Sequence, residues 1–293
     1  MKSFPFLAGI TILSIITVIT IIGPYLPFID KELTETRYVI RDSGEIDVPP
    51  FPPSKEYPLG SDERGVDLLS RLVIGAKETL LLVGSIVVIR FLGALLLGVG
   101  AFYFRGIRVI LSIWHQLFSY IPTIFFVVLL IGIPFFLFSI NRPFWFVIIL
   151  ALIEVGRVGD MVYRLVKEVA SKPFYEAGIV AGGSPFGLSI QYLFPNIRTQ
   201  LIAIVSNELG RTLFLLAQLG VVGIFINVAF ENDASGSFYI VNQSDSWPQI
   251  LSTILKDMWS TRIVPFSTIT VLMLTVLSFY LVGNGLIRKL TKR

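Results

Sequence analysis

The sequence predicts an all-α membrane protein with six transmembrane helices, both termini cytoplasmic, and a long extracellular loop after the first helix. Three observations carry that prediction. Of the 293 residues, 54% are hydrophobic and only 15% are charged, and the mean hydropathy is positive, which is more apolar surface than a soluble chain of this length hides. The apolar runs are far longer than the roughly 10 residues of a barrel strand, and in lipid only helices and closed barrels satisfy their own backbone. The charges also sort by segment, basic on one side and acidic on the other.

Residues 4–28 form the first span, following a single Lys2. The run exceeds a signal-peptide core and ends at Gly23-Pro24-Tyr25 without a small-x-small cleavage site, so it reads as a retained helix. Residues 29–77 are polar and rich in proline, with Pro49-Pro50-Phe51-Pro52-Pro53 at their centre and, counted through Glu78, eleven acids against seven bases. This predicts an ordered loop on the outer surface. Within it, Pro58 to Gly60 make a turn and Asp62 caps a helix; Leu68, Leu69, Leu72 and Val73 then share one face of an amphipathic stretch.

The later spans are predicted at 80–103, 107–138, 143–163, 201–230 and 265–287. The third and fifth are too long to cross without tilt, and Pro122 kinks the third. Trp114, Trp145, Trp247 and Trp259 fall near span ends or in the outer loop, as interface anchors do. The chain thus divides into a first helix at 1–28, an outer loop with its amphipathic segment at 29–78, and a core at 79–293.

Orientation follows from counting. One side gathers Lys2, Arg105, Arg108, Arg157, Arg164, Lys167, Lys172, Arg198, Arg288, Lys289, Lys292 and Arg293, twelve bases, against Asp160, Glu168 and Glu176. The other side holds ten bases against fifteen acids. The basic side is therefore cytoplasmic. Residues 171–196, SKPFYEAGIVAGGSPFGLSIQYLFPN, then lie in the cytoplasm. Pro173 opens a short helix there, and Gly182-Gly183-Ser184-Pro185 stops it and caps a second, angled helix. On the first helix Phe174, Ala177, Gly178 and Ala181 recur at helical spacing as a small flat apolar face with Glu176 beside it, a shape suited to a groove on another protein.

The chemistry-bearing residues are few. No glycine-rich turn leads into Gly-Lys-Ser/Thr, so any ATP that drives this chain is bound by another polypeptide. The one histidine, His115, has no ligand-spaced His, Cys or acid and reads as an interface residue beside Trp114. No Ser, His and Asp set points to a hydrolase, and the absence of cysteine excludes a disulfide framework and a thiol nucleophile. Arg90, Glu154, Glu208 and Arg211 fall inside predicted spans, where each costs roughly 2.5–3.5 kcal/mol if unpaired at the centre. Glu154 with Arg157, and Glu208 with Arg211, are spaced to pair along one helix. Arg90 has no partner on its own helix, which leaves an interhelical ion pair or a place on a translocation path.

Residues 171–196 resemble the EAA loop of ABC-importer permeases: Glu176-Ala177-Gly178, three residues, Gly182, nine residues, then Tyr192-x-Phe194-Pro195. Residues 57–71, YPLGSDERGVDLLSR, resemble the P-L-G-T-D-x-x-G-R-D-x-x-S-R signature of C-type permeases in the dipeptide, oligopeptide and nickel transport family. Ser61 and Val66 replace its Thr and Arg. Gly75-Ala76, Thr79-Leu80, the Asp245-to-Leu251 stretch with Pro248 in place of Gly, and the ending at Phe279 to Arg288 continue the resemblance in order. It implies a non-catalytic permease subunit in a bacterial plasma membrane, working with a B-type permease, two ATPase subunits that bind ATP and Mg, and a substrate-binding protein outside. It also implies that Phe174, Glu176, Ala177, Gly178, Ala181, Gly182, Gly183 and Pro195 dock the ATPase, and that the cargo is a peptide, a nickel chelate or another metallophore. The residues by themselves leave two rivals open. A secondary transporter driven by an ion gradient would show inverted repeats and acids in several spans, and a non-transporting scaffold would need neither.

Overall fold

The computed structural model describes residues 4–40, 46–232 and 238–290. Lys2, Lys292 and Arg293 of the charge count lie outside them. Most of the chain is helical: α1 (Phe4–Ile22), α2 (Leu68–Tyr103), α3 (Arg105–Ser119), α4 (Thr123–Ile131), α5 (Pro134–Leu137), α6 (Arg142–Ala170), α7 (Pro173–Val180), α8 (Pro185–Leu188), α9 (Phe194–Val221), α10 (Trp247–Ile250), α11 (Ile254–Ser260) and α12 (Ile263–Leu290). Two antiparallel hairpins interrupt it, β1 (Val39–Ile40) with β2 (Ile46–Asp47), and β3 (Val228–Asn232) with β4 (Phe238–Asn242). Among the described residues four helical stretches are long and apolar enough to cross a membrane, five if the bent pair α3 and α4 counts as one span. The 29-residue α6 stands apart because Glu154, Arg157 and Asp160 interrupt its apolar run.

Several predicted boundaries move. The second span does not begin at Leu80, because α2 runs unbroken from Leu68 for 36 residues. The predicted third span is broken rather than kinked: α3 and α4 meet at 93°. Pro122 sits in extended backbone just before α4; it has no N–H to give the ladder and disfavours helix in the residue before it. The predicted fifth span stops early, since α9 ends at Val221. Gly223 takes φ +76°, and the Ile224 N–H reaches back to the Leu219 carbonyl at 2.9 Å, the left-handed helix stop that glycine favours. The β-branched and aromatic residues that follow pair as β3 and β4.

The chain folds as two compact units. One takes the described parts of Met1–Leu7, Gly84–Thr212 and Phe279–Arg293. In it α3 and α4 pack on α6, and glycines mark the tightest approaches. A Cβ on Gly98 would stand 2.7 Å from the Gly159 carbonyl, and one on Gly156 would stand 2.8 Å from the His115 backbone nitrogen. Val162 and Val166 of α6 pack with Tyr175, Leu188, Leu193, Ile197 and Leu201.

The other unit takes Ala8–Val83 and Leu213–Ser278. Here the two signature stretches read separately in the sequence lock onto each other. The Trp247 indole donates to the Leu72 carbonyl at 2.7 Å, and its backbone N–H donates to the Thr79 hydroxyl at 2.9 Å. The Glu78 carboxylate accepts from the Ser244 hydroxyl at 2.6 Å and the Asp245 N–H at 3.0 Å. Trp247 is only 2% exposed, so it is a core residue here and not the interface anchor predicted for it; its N–H has found a carbonyl inside the fold. Asp62 is not the helix cap either. Its Oδ1 accepts from the Arg64 and Val66 N–H groups, and its Oδ2 pairs with Arg71 at 2.7 Å. Because α2 starts at Leu68, the cap falls to Asp67, whose Oδ2 accepts from the Ser70 N–H at 2.8 Å. Leu68, Leu72 and Val73 are buried, but so are Ser70, Arg71 and Ala76, so this turn of helix is enclosed rather than amphipathic.

Candidate functional site

Residues 171–196 fold as the sequence predicts, and more tightly. Pro173 occupies the first turn of α7. Gly182 takes φ +81°, with the Gly183 N–H bonding back to the Gly178 carbonyl at 3.0 Å and the Gly182 N–H to Ile179 at 2.9 Å, a paired left-handed stop. Ser184 then caps α8 by accepting from the Gly187 N–H. A turn of π-helix over Ser189–Leu193 joins α8 to α9, where Pro195 lies exposed in the first turn.

The structure divides the predicted apolar face. Phe174, Ala177 and Ala181 are exposed, with Glu176 beside them and Gly183 exposed at the turn, where a Cβ would meet Leu188 at 2.8 Å. Gly178 is buried instead, and a Cβ there would meet Leu188 at 2.9 Å and Tyr192 at 3.0 Å. Its role is to let α7 and α8 close on each other. Sequence spacing missed the residues that enlarge the open surface: Ile179, Val180 at 88% exposure and Phe186 at 76%. Together these make an exposed apolar patch on a segment whose own backbone is fully organised. Isolated exposed apolar residues are ordinary, but clustered ones mark contact surfaces.

A node of hydroxyls fixes this segment to the end of α2. The Tyr103 hydroxyl donates to the Pro185 carbonyl at 3.0 Å and lies 2.9 Å from the Ser189 hydroxyl and 3.3 Å from that of Tyr175. Phe102 packs edge-on against Tyr175. Burial, followed by the Tyr103 hydroxyl, pushes the Tyr175 phenol well above its ordinary pKa. No spacing rule points to Tyr103, because its partners lie 72 to 86 residues away. Tyr103→Phe removes only the oxygen and is expected to weaken the seat of α7 and α8 by about 0.5–1.5 kcal/mol, the usual net worth of a hydrogen bond. Limited proteolysis at residues 181–184 of the purified protein checks this, with cleavage several-fold faster than in the unmodified chain.

The second candidate group is a chain of charges across three helices. Arg90 of α2, 1% exposed, donates to Glu208 at 3.0 Å, to the Thr212 hydroxyl at 2.9 Å and to the Leu150 carbonyl at 2.7 Å. Arg157 of α6 reaches both oxygens of Glu208 at 2.7 Å and also pairs with Glu154, which in turn accepts from the Thr123 hydroxyl. The Glu154–Arg157 pair is the one predicted, and Arg90 makes the interhelical ion pair that was one of its two readings. The predicted Glu208–Arg211 pair does not form. Glu208 turns toward two cations on other helices, and Arg211 is exposed, with no hydrogen bond or ion pair among the described residues. His115 Nδ1 faces the Ser119 hydroxyl at 3.1 Å.

No family model matches the chain. The dipeptide transport system permease protein DppC of Bacillus subtilis (strain 168) is 26% identical over 288 residues, an alignment that covers 96% of this chain and 79% of that protein.

Proposed function

We propose that this chain, a relative of dipeptide transport permeases along nearly its whole length, is a membrane permease subunit of an ATP-driven importer and forms half of a translocation pathway for peptides or peptide-like cargo. It is a permease and not an enzyme, and the proposal assigns ATP and Mg to separate ATPase subunits. A second permease completes the path, and a binding protein delivers cargo from outside. Six spans are assigned by adding α6 and the bent α3–α4 pair to the four apolar stretches, with both termini in the cytoplasm.

The observation that carries the reading is the exposed apolar patch of Phe174, Ile179, Val180 and Phe186 on a segment pinned by Tyr103 and packed through Gly178. A patch on a stiff base transmits displacement, whereas one on a loose loop absorbs it. In this mechanism ATP binding closes the ATPase pair, and the segment passes the movement through α2, α6 and α9 to the pathway. The coupling is a free-energy linkage between nucleotide state and pathway orientation. Purifying the tagged chain from its native membrane tests the assignment: an ATPase and a second permease are expected to co-purify. Recovery of the chain alone, as for a secondary transporter, or with an unrelated client, as for a scaffold, overturns it.

A further inference from the structure

Arg211 is a charge within a predicted span that has no partner among the described residues. Its depth follows from its own helix: Arg211 lies about 15 Å along α9 from Leu201 and about 15 Å from the helix end at Val221, at 1.5 Å per residue, and its neighbour Thr212 bonds Arg90. That is mid-span. Arg90, Arg157, Glu154 and Glu208 are paired at this level and sum to zero charge. Arg211, one turn on from Glu208, is exposed on α9 with no partner among the described residues.

It also continues a pattern. Asn196, Gln200, Asn207 and Arg211 fall within a sector of about 60° on α9 at 100° per residue, which the exposed Phe214 closes one turn beyond Arg211. Asn196 and Arg211 are exposed, and Gln200 and Asn207 are half-buried; Asn207 Oδ1 is enclosed without a hydrogen-bond partner. Ile202, half a helical turn away from Arg211, is exposed and apolar, the character of a lipid-facing position. Asn196, at the cytoplasmic end, bonds the Tyr192 carbonyl at 2.7 Å, whereas Arg211 lies at membrane depth, where a charge needs water or a polar partner.

Resting on the permease reading above, we infer that this stripe lines the water-filled path and that Arg211 receives the terminal carboxylate of the peptide in transit. A guanidinium offers two parallel N–H donors in a planar fork that matches a carboxylate, and the zero-sum cluster behind it leaves its positive charge uncompensated.

The chain's lack of cysteine makes the test direct. In the assembled complex, Gln200→Cys and Arg211→Cys are expected to react with a charged, membrane-impermeant methanethiosulfonate at least about tenfold faster than Ile202→Cys, since only thiols in water ionise and react readily. Equal rates overturn the path. ATP-driven uptake of labelled dialanine and of its C-terminal amide is then compared between variants. The binding protein is unchanged throughout, so its own selectivity cancels in each variant-to-native ratio. Arg211→Gln is expected to lower uptake of the acid about tenfold and of the amide less than twofold, and Arg211→Lys to restore most of the loss; tenfold corresponds to about 1.4 kcal/mol. An equal fall for both cargoes, or loss of the second permease from the purified complex, overturns the carboxylate assignment, the latter in favour of an ion pair between permeases. Absence of ATP-driven dialanine uptake in the native complex sinks the peptide-importer reading itself, while the labelling pattern still decides whether the stripe is wet.

Discussion

Glu208→Ala is expected to be among the most damaging single substitutions in the chain, and Arg90→Leu nearly as damaging. Glu208 is 3% exposed and holds both Arg90 and Arg157. Removing it leaves Arg90 buried with only the Thr212 hydroxyl and the Leu150 carbonyl, and leaves Arg157 with Glu154 alone. Breaking a buried pair costs about 3–5 kcal/mol, because the partner stays behind as an uncompensated charge. Arg90→Leu strands less, since Glu208 keeps Arg157. The combined Arg90→Leu, Glu208→Leu protein removes one charge of each sign and leaves Glu154–Arg157 intact, so it is expected to be milder than Glu208→Ala. Thermal unfolding of the purified variants in detergent, set out as a double-mutant cycle, measures this. If the two single losses simply add, the pair contributes nothing jointly and the cluster is not what joins α2, α6 and α9.

That cluster also shows where the sequence stopped being legible. Spacing along a helix names partners three or four residues apart, so Glu154 with Arg157 was readable and Glu208 with Arg211 was the obvious second pair. Nothing in a one-dimensional pattern says that Arg90, 118 residues away, will arrive from another helix and draw Glu208 aside. The same limit hid Tyr103 and the Glu78–Ser244 bond. Local chemistry read better: Pro173, Gly182 and Ser184 act where their conformational preferences put them, because starts and stops are decided within a few residues. The fifth span failed for an instructive reason. Its apolar run continues past Gly223, and only the left-handed backbone there, followed by β-branched residues, separates helix from hairpin. Trp247 was misplaced because a tryptophan near a span end looks alike from sequence whether it meets lipid headgroups or the Leu72 carbonyl.

The segment at 171–196 yields the sharpest functional expectation, because its geometry allows stiffness to be altered without touching the core. Gly182 has φ +81° and open space where a Cβ would stand, so a substitution there meets backbone strain and no clash. Gly182→Val is expected to cost about 1–2 kcal/mol locally and to loosen the turn between α7 and α8. Gly182→Asn, which tolerates the left-handed region, is expected to retain most function. Glu176→Lys reverses the one exposed acid of α7 at the rim of the patch, while Glu176→Gln removes its charge at a cost of only about 0.3–1 kcal/mol to the helix end. In the assembled complex, Gly182→Val and Glu176→Lys are expected to reach the membrane at native levels and to lose transport about tenfold while ATP hydrolysis continues. Hydrolysis and transport separate in this way only if the segment is the linkage between nucleotide state and pathway. A general folding defect would lower abundance and both activities together, and a segment that merely joined two spans would leave uptake unchanged in every one of these variants.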